Sequence, residues 1–253
     1  MNPTPQNNSG DAPVDVRGLK KSFGAQVVLA GIDLRVKEGE TLAVLGRSGG
    51  GKSVLLKLLI GLQTPDAGTI RIFGEDIAGL SIDQLNEVRK KMGFLFQQAA
   101  LYDSLTVRQN VEFPLSRHTK MSISERKARV EELLSIVGMP KDLEKMPSQI
   151  SGGMQKRVGL ARALALEPSL FLFDEPTAGL DPITASEIAN LIATLRRKRK
   201  ITSVVVTHDL HSAKVFSDRL VLMEGGKILA DGSFQELQTN GNEFVNRFMK
   251  EAA

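Results

Sequence analysis

A glycine-rich loop occupies residues 46–53 of this 253-residue chain, and its spacing fits G-x-x-x-x-G-K-[S/T]. Glycines allow backbone N–H groups to turn toward an anion, and the helix that follows adds its positive dipole end. In this pattern Lys52 reaches the β- and γ-phosphates of a nucleotide, and the Ser53 hydroxyl coordinates Mg²⁺. The residues predicted to bind the nucleotide in and beside this loop are Gly46, Arg47, Ser48, Gly49, Gly50, Gly51, Lys52, Ser53 and Val54.

Two carboxylates follow an apolar strand pattern at residues 170–173. In phosphate-loop enzymes the first acid after such a strand holds Mg²⁺, which assigns Asp174 as a metal residue. Glu175 would face the γ-phosphate, where a carboxylate can orient or deprotonate the attacking water. Two solvated acids at a strand end are the default for this stretch alone. The phosphate loop in the same chain favours the catalytic interpretation.

A second buried strand pattern, at residues 202–206, ends at Thr207, His208 and Asp209. The carboxyl ends of parallel strands meet at one crevice, so His208 could contact the γ-phosphate. On residue type alone, a capping or core histidine is the preferred interpretation of His208. His118 and His211 have no comparable support, and we interpret both as surface or structural residues.

Ser151, Gly152 and Gly153 begin another predicted helix, whose free N–H groups form a second potential anion site. This site is far from the phosphate loop in the sequence. One chain cannot easily bring both to one nucleotide, whereas a two-fold dimer could place this helix opposite the loop of its partner.

The elements that position these residues follow an α/β pattern. Short runs at residues 14–40 and 69–74 alternate apolar and polar residues, which indicates antiparallel strands. Continuous apolar runs alternate with helices elsewhere and predict a parallel sheet covered on both faces. A capping box at Ser122 and Glu125 belongs to a helical stretch that begins near Val88. We predict a core at 14–90 and 167–232, a helical insert at about 91–166, and a helical C-terminal tail at 233–253.

Composition limits the class of protein. The chain is 42% hydrophobic and 25% charged, as globular proteins are, and it has no cysteine for disulfides or thiolate metal sites. A net charge of +4 is too mild to indicate a nucleic-acid partner. No apolar run approaches the ~20 residues that span a bilayer. Residues 1–11 lack the apolar core of a signal peptide, and we predict a disordered tail over 1–13.

The order GRSGGGKS, FQQ, ISGGMQKR, FLFDEP, AGLD and THD resembles the ATPase subunit of ABC transporters over about residues 14–232. The resemblance implies a P-loop NTPase core of the ABC ATPase type, with an antiparallel β subdomain and an inserted α-helical subdomain. It also implies ATP and Mg²⁺ as cofactors, a second copy of the chain, and membrane permease subunits as partners. Such a chain would lie at the cytoplasmic side of the inner membrane, attached through the permease.

Residue by residue, the resemblance places Phe23 on the adenine ring and Asp181 in a loop that crosses the dimer interface. Gln97 matches the glutamine that senses Mg²⁺ and couples to the permease. Gln98 is the other candidate, and Gln97 is preferred because it directly follows Phe96. Ser151, Gly152 and Gly153 match the signature that binds the γ-phosphate across the dimer, and His208 matches the switch histidine.

The sequence departs from the family pattern at Ile150, at Met154 and at Val54, which replaces a common Thr after Ser53. None of these removes a catalytic group, so we expect a hydrolysing site. Its predicted catalytic residues are Lys52, Glu175 and His208, and its predicted metal residues are Ser53, Gln97 and Asp174.

Short patterns at SGGM, 110–115 and 244–248 resemble the Mla/Mce-type group. They imply phospholipid transport with a periplasmic Mce-type lipid-binding protein. An importer of another solute, a soluble ABC ATPase in nucleic-acid repair or translation, and a P-loop kinase are the alternatives. The basic run at 196–200 is interpreted as a solvated helix end, where cations offset the dipole, in preference to a lipid contact.

Overall fold

The structure is a computed structural model, and it is described here for residues 12–251. The tail predicted at 1–13 therefore lies outside the described residues, apart from Ala12 and Pro13. The strands are β1 (Val14–Phe23), β2 (Gln26–Val36), β3 (Thr41–Leu45), β4 (Ala67–Ile72), β5 (Glu75–Asp76), β6 (Met92–Leu95), β7 (Leu170–Asp174), β8 (Thr202–Thr207), β9 (Arg219–Glu224) and β10 (Lys227–Gly232). The helices are α1 (Lys52–Leu59), α2 (Ile82–Lys90), α3 (Val107–His118), α4 (Ile123–Ile136), α5 (Gly152–Ala163), α6 (Pro182–Arg199), α7 (Leu210–Phe216), α8 (Phe234–Gln238) and α9 (Glu243–Glu251).

The main sheet has six strands in the order β10-β9-β3-β8-β7-β6, and all but β10 run parallel. Its central strands are apolar throughout because both faces are covered, as expected for parallel sheets. Ala43 and Leu45 of β3 enter one core cluster with α3–α7, whereas Leu42 and Val44 enter a second cluster with α1 and the smaller sheet. This confirms the predicted α/β architecture.

The smaller sheet is antiparallel, in the order β2-β1-β4-β5. The short apolar runs expected at 14–40 merge into two long strands, with irregular register between Val16 and Leu19 and again between Lys21 and Ser22. Bulges let a long strand bend over a core while its pattern of alternation shifts. The antiparallel β subdomain is confirmed, with fewer and longer strands than the sequence pattern suggested.

One boundary of the predicted helical insert is wrong. Met92–Leu95 forms β6, which pairs with β7 in the main sheet, so this segment belongs to the core. Its backbone partners decide the conformation: the N–H groups of Ser169 and Leu170 both donate to the Lys91 carbonyl and align the two strands. The helices that follow are α3, α4 and α5, and the Ser122–Glu125 capping box is present at the start of α4.

Phe216, at the end of α7, offers a test of the larger core because its side chain is fully buried. We expect Phe216→Ala to lower the free energy of unfolding by about 3–5 kcal/mol, because lost burial adds to the cost of a cavity. Denaturant unfolding measures the change. The neighbouring Val215 is 38% exposed, so Val215→Ala should change stability by less than about 1 kcal/mol. Equal losses in the two variants would contradict this description of the core.

Candidate nucleotide-binding site

The predicted site residues converge at the carboxyl edge of the main sheet. Leu45 pairs with Thr207 across β3 and β8, and Asp174 pairs with Val206 across β7 and β8. The phosphate loop, the two acids and His208 therefore begin at the same level of three adjacent strands. This edge is where ligands bind in open α/β sheets.

The phosphate loop curls around the Lys52 side chain. Its ammonium group donates hydrogen bonds to the carbonyls of Gly46 at 2.7 Å and Arg47 at 3.0 Å. Gly51 has a φ of +92°, and a Cβ there would lie 2.8 Å from Leu29 and 2.9 Å from the Val28 carbonyl, so only glycine fits. Burial lowers the pKa of Lys52, while Glu175, Asp174 and Glu224 act in the opposite direction.

Ser53 and Asp174, the two residues predicted as Mg²⁺ ligands at the end of the phosphate loop and of β7, lie side by side. The Ser53 hydroxyl donates to the Asp174 carboxylate at 2.9 Å, and burial raises the pKa of Asp174 despite this bond. Within residues 12–251 no cluster of three or more His, Cys, Asp or Glu side chains could hold a metal alone. One hydroxyl and one carboxylate fit Mg²⁺, which commonly takes few protein ligands and completes its shell with water and substrate phosphates.

Glu175 and His208 are in direct contact. The Glu175 carboxylate oxygen Oε2 lies 2.9 Å from His208 Nδ1 and also accepts the His208 backbone N–H at 3.3 Å. Glu175 has a φ of +47°, a left-handed conformation that is costly for a residue with a side chain and tends to occur at functional sites. The arrangement therefore places a carboxylate and an imidazole together at the end of β7 and β8.

A cleft of about 390 Å³ connects these groups with the mouth of the site. Phe23 lies at its edge with 47% of its surface exposed, as an aromatic ring that stacks on a ligand base would be. Gln97 and Gln98 are both exposed, but only Gln97 lines the cleft. The lining consists of Phe23, Val28, Ser48, Gly49, Gly50, Gly51, Lys52, Ser53, Val54, Gln97, Glu175 and His208.

Arg47 is placed differently from the other loop residues. Its guanidinium lies 5.5 Å from the centre of the Phe244 ring in α9, a cation–π contact directed away from the cleft. Neither Gly46 nor Arg47 lines the cleft, and their described role is to accept hydrogen bonds from Lys52. A contact between α9 and the phosphate loop could not be read from the sequence, because their separation along the chain gives no pairing signal.

The signature residues and Asp181 lie outside this cleft. Ser151 caps α5 by accepting the Met154 N–H, and both Ser151 and Gly152 are exposed. Asp181 caps α6, and hydrogen bonds from Thr184 hold the pKa of its carboxyl below the ordinary value. Within one chain the second anion site is thus not brought to the phosphate loop.

Lys156 is a site-adjacent residue that sequence reasoning missed. Its ammonium reaches the backbone of both Gln97 and Glu175 from α5. A lysine on an amphipathic helix normally faces solvent, so nothing in the local pattern distinguishes it. Burial lowers the pKa of Lys156 to about 8, although Asp174 and Glu175 oppose the shift.

Comparison with known proteins agrees with this geometry. A family model described as ABC transporter matches residues 29–178. The methionine import ATP-binding protein MetN of Corynebacterium glutamicum is 39% identical over 249 residues, covering 94% of this chain and 69% of that protein. The probable ribonucleotide transport ATP-binding protein mkl of Mycobacterium leprae is 40% identical over 236 residues, covering 93% of this chain and 66% of that protein.

The fold also matches a solved ATP-binding cassette, a dimer in a post-hydrolysis state bound to ADP and Pi. The TM-score is 0.80 at 35% sequence identity, and the match covers 87% of this chain and 98% of the other. The family model covers more than half of the chain, and both relatives cover over nine-tenths of it. This chain therefore belongs to the ABC transporter family, as an ATP-binding subunit with ATPase activity.

Proposed function

We propose that ATP binds with its adenine against Phe23 and its phosphates in the loop that holds Lys52. Ser53, Asp174 and Gln97 would hold Mg²⁺, which neutralises charge on the phosphates when bound. Glu175 accepts the proton of the attacking water, and His208 holds the Glu175 carboxylate beside the γ-phosphate position. The contact between Glu175 and His208 supports this pairing of roles.

The complete site requires two chains. The cleft of one chain is lined by loop residues 48–53, Glu175 and His208 but not by Ser151, Gly152, Gly153 or Asp181. The exposed N-terminus of α5 supplies free N–H groups that suit a γ-phosphate presented by a second copy. ABC cassettes dimerise, and we propose that these signature residues close over the nucleotide of the partner.

We propose that the chain powers the import of a small polar solute, with methionine as the first candidate. The observation that carries this is the 39% identity to a methionine import ATP-binding protein over nearly the whole chain. The relative from Mycobacterium leprae is named for ribonucleotide transport. The two names together support small polar solutes as a substrate class, and they support methionine itself less strongly. Neither relative is named for phospholipid transport or for a periplasmic Mce-type partner, so we favour the importer.

Two of the three patterns that suggested phospholipid transport, at 110–115 and 244–248, have structural roles in this chain. Asn110 is buried and bonds to the backbone of Tyr102, Leu105 and Thr106. Val245 is buried against the larger core, and Phe244 and Phe248 pack against it. Both segments therefore stabilise the fold, and their presence does not specify a substrate.

We propose that the membrane partner is a separate permease chain. No helix within residues 12–251 has the length and apolarity needed to cross a membrane. We propose that permease subunits dock in an aromatic groove of about 390 Å³ between β6, α3 and α5. The Tyr102 and Phe113 rings lie in it, tilted by 44° to each other with their centres 4.9 Å apart. Phe96 and Ala100 also line this groove, so it flanks Gln97 and offers a route from permease to nucleotide. Docking there would hold the chain at the cytoplasmic side of the inner membrane.

The test is to isolate the full chain from detergent-solubilised membranes with its co-purifying membrane subunits and to reconstitute them in vesicles. We expect methionine to be accumulated in an ATP-dependent manner, with ribonucleotides and phospholipid vesicles as comparison substrates. Phe113→Ala should reduce the amount of co-purified permease while the purified chain keeps its own ATPase activity. Co-purified RNA or DNA without a membrane protein, or ATP-dependent phospholipid movement without solute uptake, would contradict the proposal.

A further inference from the structure

Lys156 connects two functional segments that are distant along the chain. It lies in α5, just after the signature residues, and only 4% of its surface is exposed. Its ammonium donates to the Gln97 carbonyl in a close contact and to the Glu175 carbonyl at 3.1 Å. It does not line the nucleotide cleft itself.

Both segments that it holds have unusual backbone conformations. Glu175 has a φ of +47°, and its carbonyl accepts a second hydrogen bond from the Ala178 N–H at 3.2 Å. The segment after Gln97 contains Ala99 and Ala100 at φ values of +58° and +48°. Such conformations are costly for residues with side chains and persist only where surrounding contacts hold them. The Lys156 ammonium is one such contact for Glu175.

The remainder of α5 is seated against the segment that follows Gln97. Gly159 makes this possible, since a Cβ at that position would lie 2.8 Å from Leu95 and 3.2 Å from the Ala99 Cβ. Arg162, further along the helix, donates to the carbonyls of Ala99 at 2.7 Å and Ala100 at 2.8 Å. Helix α5 therefore binds this segment through Lys156 at Gln97 and through Arg162 at Ala99 and Ala100. Lys156 also binds the Glu175 carbonyl.

Stability alone gives little reason for a lysine here. Removing an ammonium from water is costly, and its hydrogen bonds only offset that cost. An apolar side chain of similar length would fill the position without this desolvation cost. In other proteins, replacing buried charged groups by apolar ones is often neutral or stabilising. The contacts that the ammonium makes are with the backbone of a predicted Mg²⁺-sensing residue and of a predicted water-activating residue. These contacts point to a role in activity.

We propose that Lys156 is a positioning residue for ATP hydrolysis, which fixes Gln97 and Glu175 relative to the signature helix by binding both backbone carbonyls. This inference rests on the proposed roles of Gln97 and Glu175. The N-terminus of α5 would contact the nucleotide of the partner, and Lys156, one turn later, contacts both segments of its own site. Helix α5 therefore transmits closure of the dimer to the water-activating carboxylate.

The experiment compares Lys156→Met and Lys156→Arg in the full-length protein. Met keeps the length and removes the donors, whereas Arg keeps the charge and the donors. We expect Lys156→Met to lower kcat by about 10- to 100-fold, as small misplacements of catalytic groups do. The Kd for ADP, measured by calorimetric titration, should stay within about threefold, because Lys156 is not in the cleft. Lys156→Arg should recover at least about tenfold of the lost kcat.

Arg157→Met is the matched control, since Arg157 lies on the same helix but bonds to Val137 and Glu187, away from the site. Its kcat should remain within about twofold of the parent value. Should Lys156→Met melt far below the parent, Lys156→Gln takes its place. Its uncharged amide ends one bond short of the lysine ammonium and cannot bind both carbonyls, so it should lose kcat without losing ADP affinity.

Two results would overturn the proposal: unchanged kcat in Lys156→Met, or equal loss of kcat in folded Met and Arg variants. The results also distinguish an incorrect site assignment from an incorrect positioning role for Lys156. If Glu175→Gln hydrolyses ATP normally, the proposed catalytic role of Glu175 is wrong. If Glu175→Gln is inactive and Lys156→Met is fully active, only the positioning role is wrong.

Discussion

Replacing Glu175 with Gln should abolish steady-state ATP hydrolysis and leave ATP binding intact. The amide keeps the shape of the side chain and can still meet His208, but it cannot accept a proton from water. General-base groups contribute about 10²- to 10⁴-fold to rate, so we expect a loss of at least about 100-fold in kcat. Phosphate release measures the rate, and titration with ATP measures the affinity.

Glu87→Gln is a suitable control because Glu87 is an exposed carboxylate that pairs with Lys90, outside the cleft. It should hydrolyse ATP at the parent rate. Near-normal hydrolysis by Glu175→Gln would show that another group activates the water, and it would remove Glu175 from the catalytic set.

Lys52→Met should weaken nucleotide binding strongly and lower turnover. Lys52 is the buried ammonium inside the phosphate loop, and its bonds to the Gly46 and Arg47 carbonyls place it there. A charge-assisted hydrogen bond contributes about 1.5–3 kcal/mol, which corresponds to a loss of about 10- to 100-fold in affinity for ATP. Calorimetric titration with ATP and with ADP gives the measurement.

Lys57→Met is the control on the same helix, because Lys57 is exposed and does not line the cleft. Its ATP affinity should match that of the parent. If Lys52→Met bound ATP as tightly as the parent, the loop at 46–53 would not be the phosphate site.

Much of the site could be predicted because its chemistry lies in consecutive residues. The loop at 46–53 encodes its own conformation, and Asp174, Glu175 and His208 directly follow apolar strands whose carboxyl ends must meet. Residues that are neighbours in the sequence are therefore also neighbours in the site. The local sequence pattern is enough to predict these site residues.

The parts that were missed depend on tertiary contacts. Met92–Leu95 is a short edge strand with a central glycine, and its conformation is set by pairing with β7. Lys156 is indistinguishable from a surface lysine until α5 is packed against Gln97 and Glu175. The turn of Arg47 toward Phe244 likewise requires α9 to reach the phosphate loop. In each case packing overrides local preference.

The central claim is that two chains build each ATP site, and ATP-dependent dimerisation of Glu175→Gln tests it most directly. This variant should bind ATP and Mg²⁺ without hydrolysing it, so the closed pair should accumulate. Light scattering after size exclusion should give twice the mass of one chain with ATP and the mass of one chain without it. Addition of Ser151→Arg, which obstructs the exposed N-terminus of α5, should abolish the dimer. A variant that stays monomeric while saturated with ATP, or that dimerises equally well with Ser151→Arg, would contradict the account.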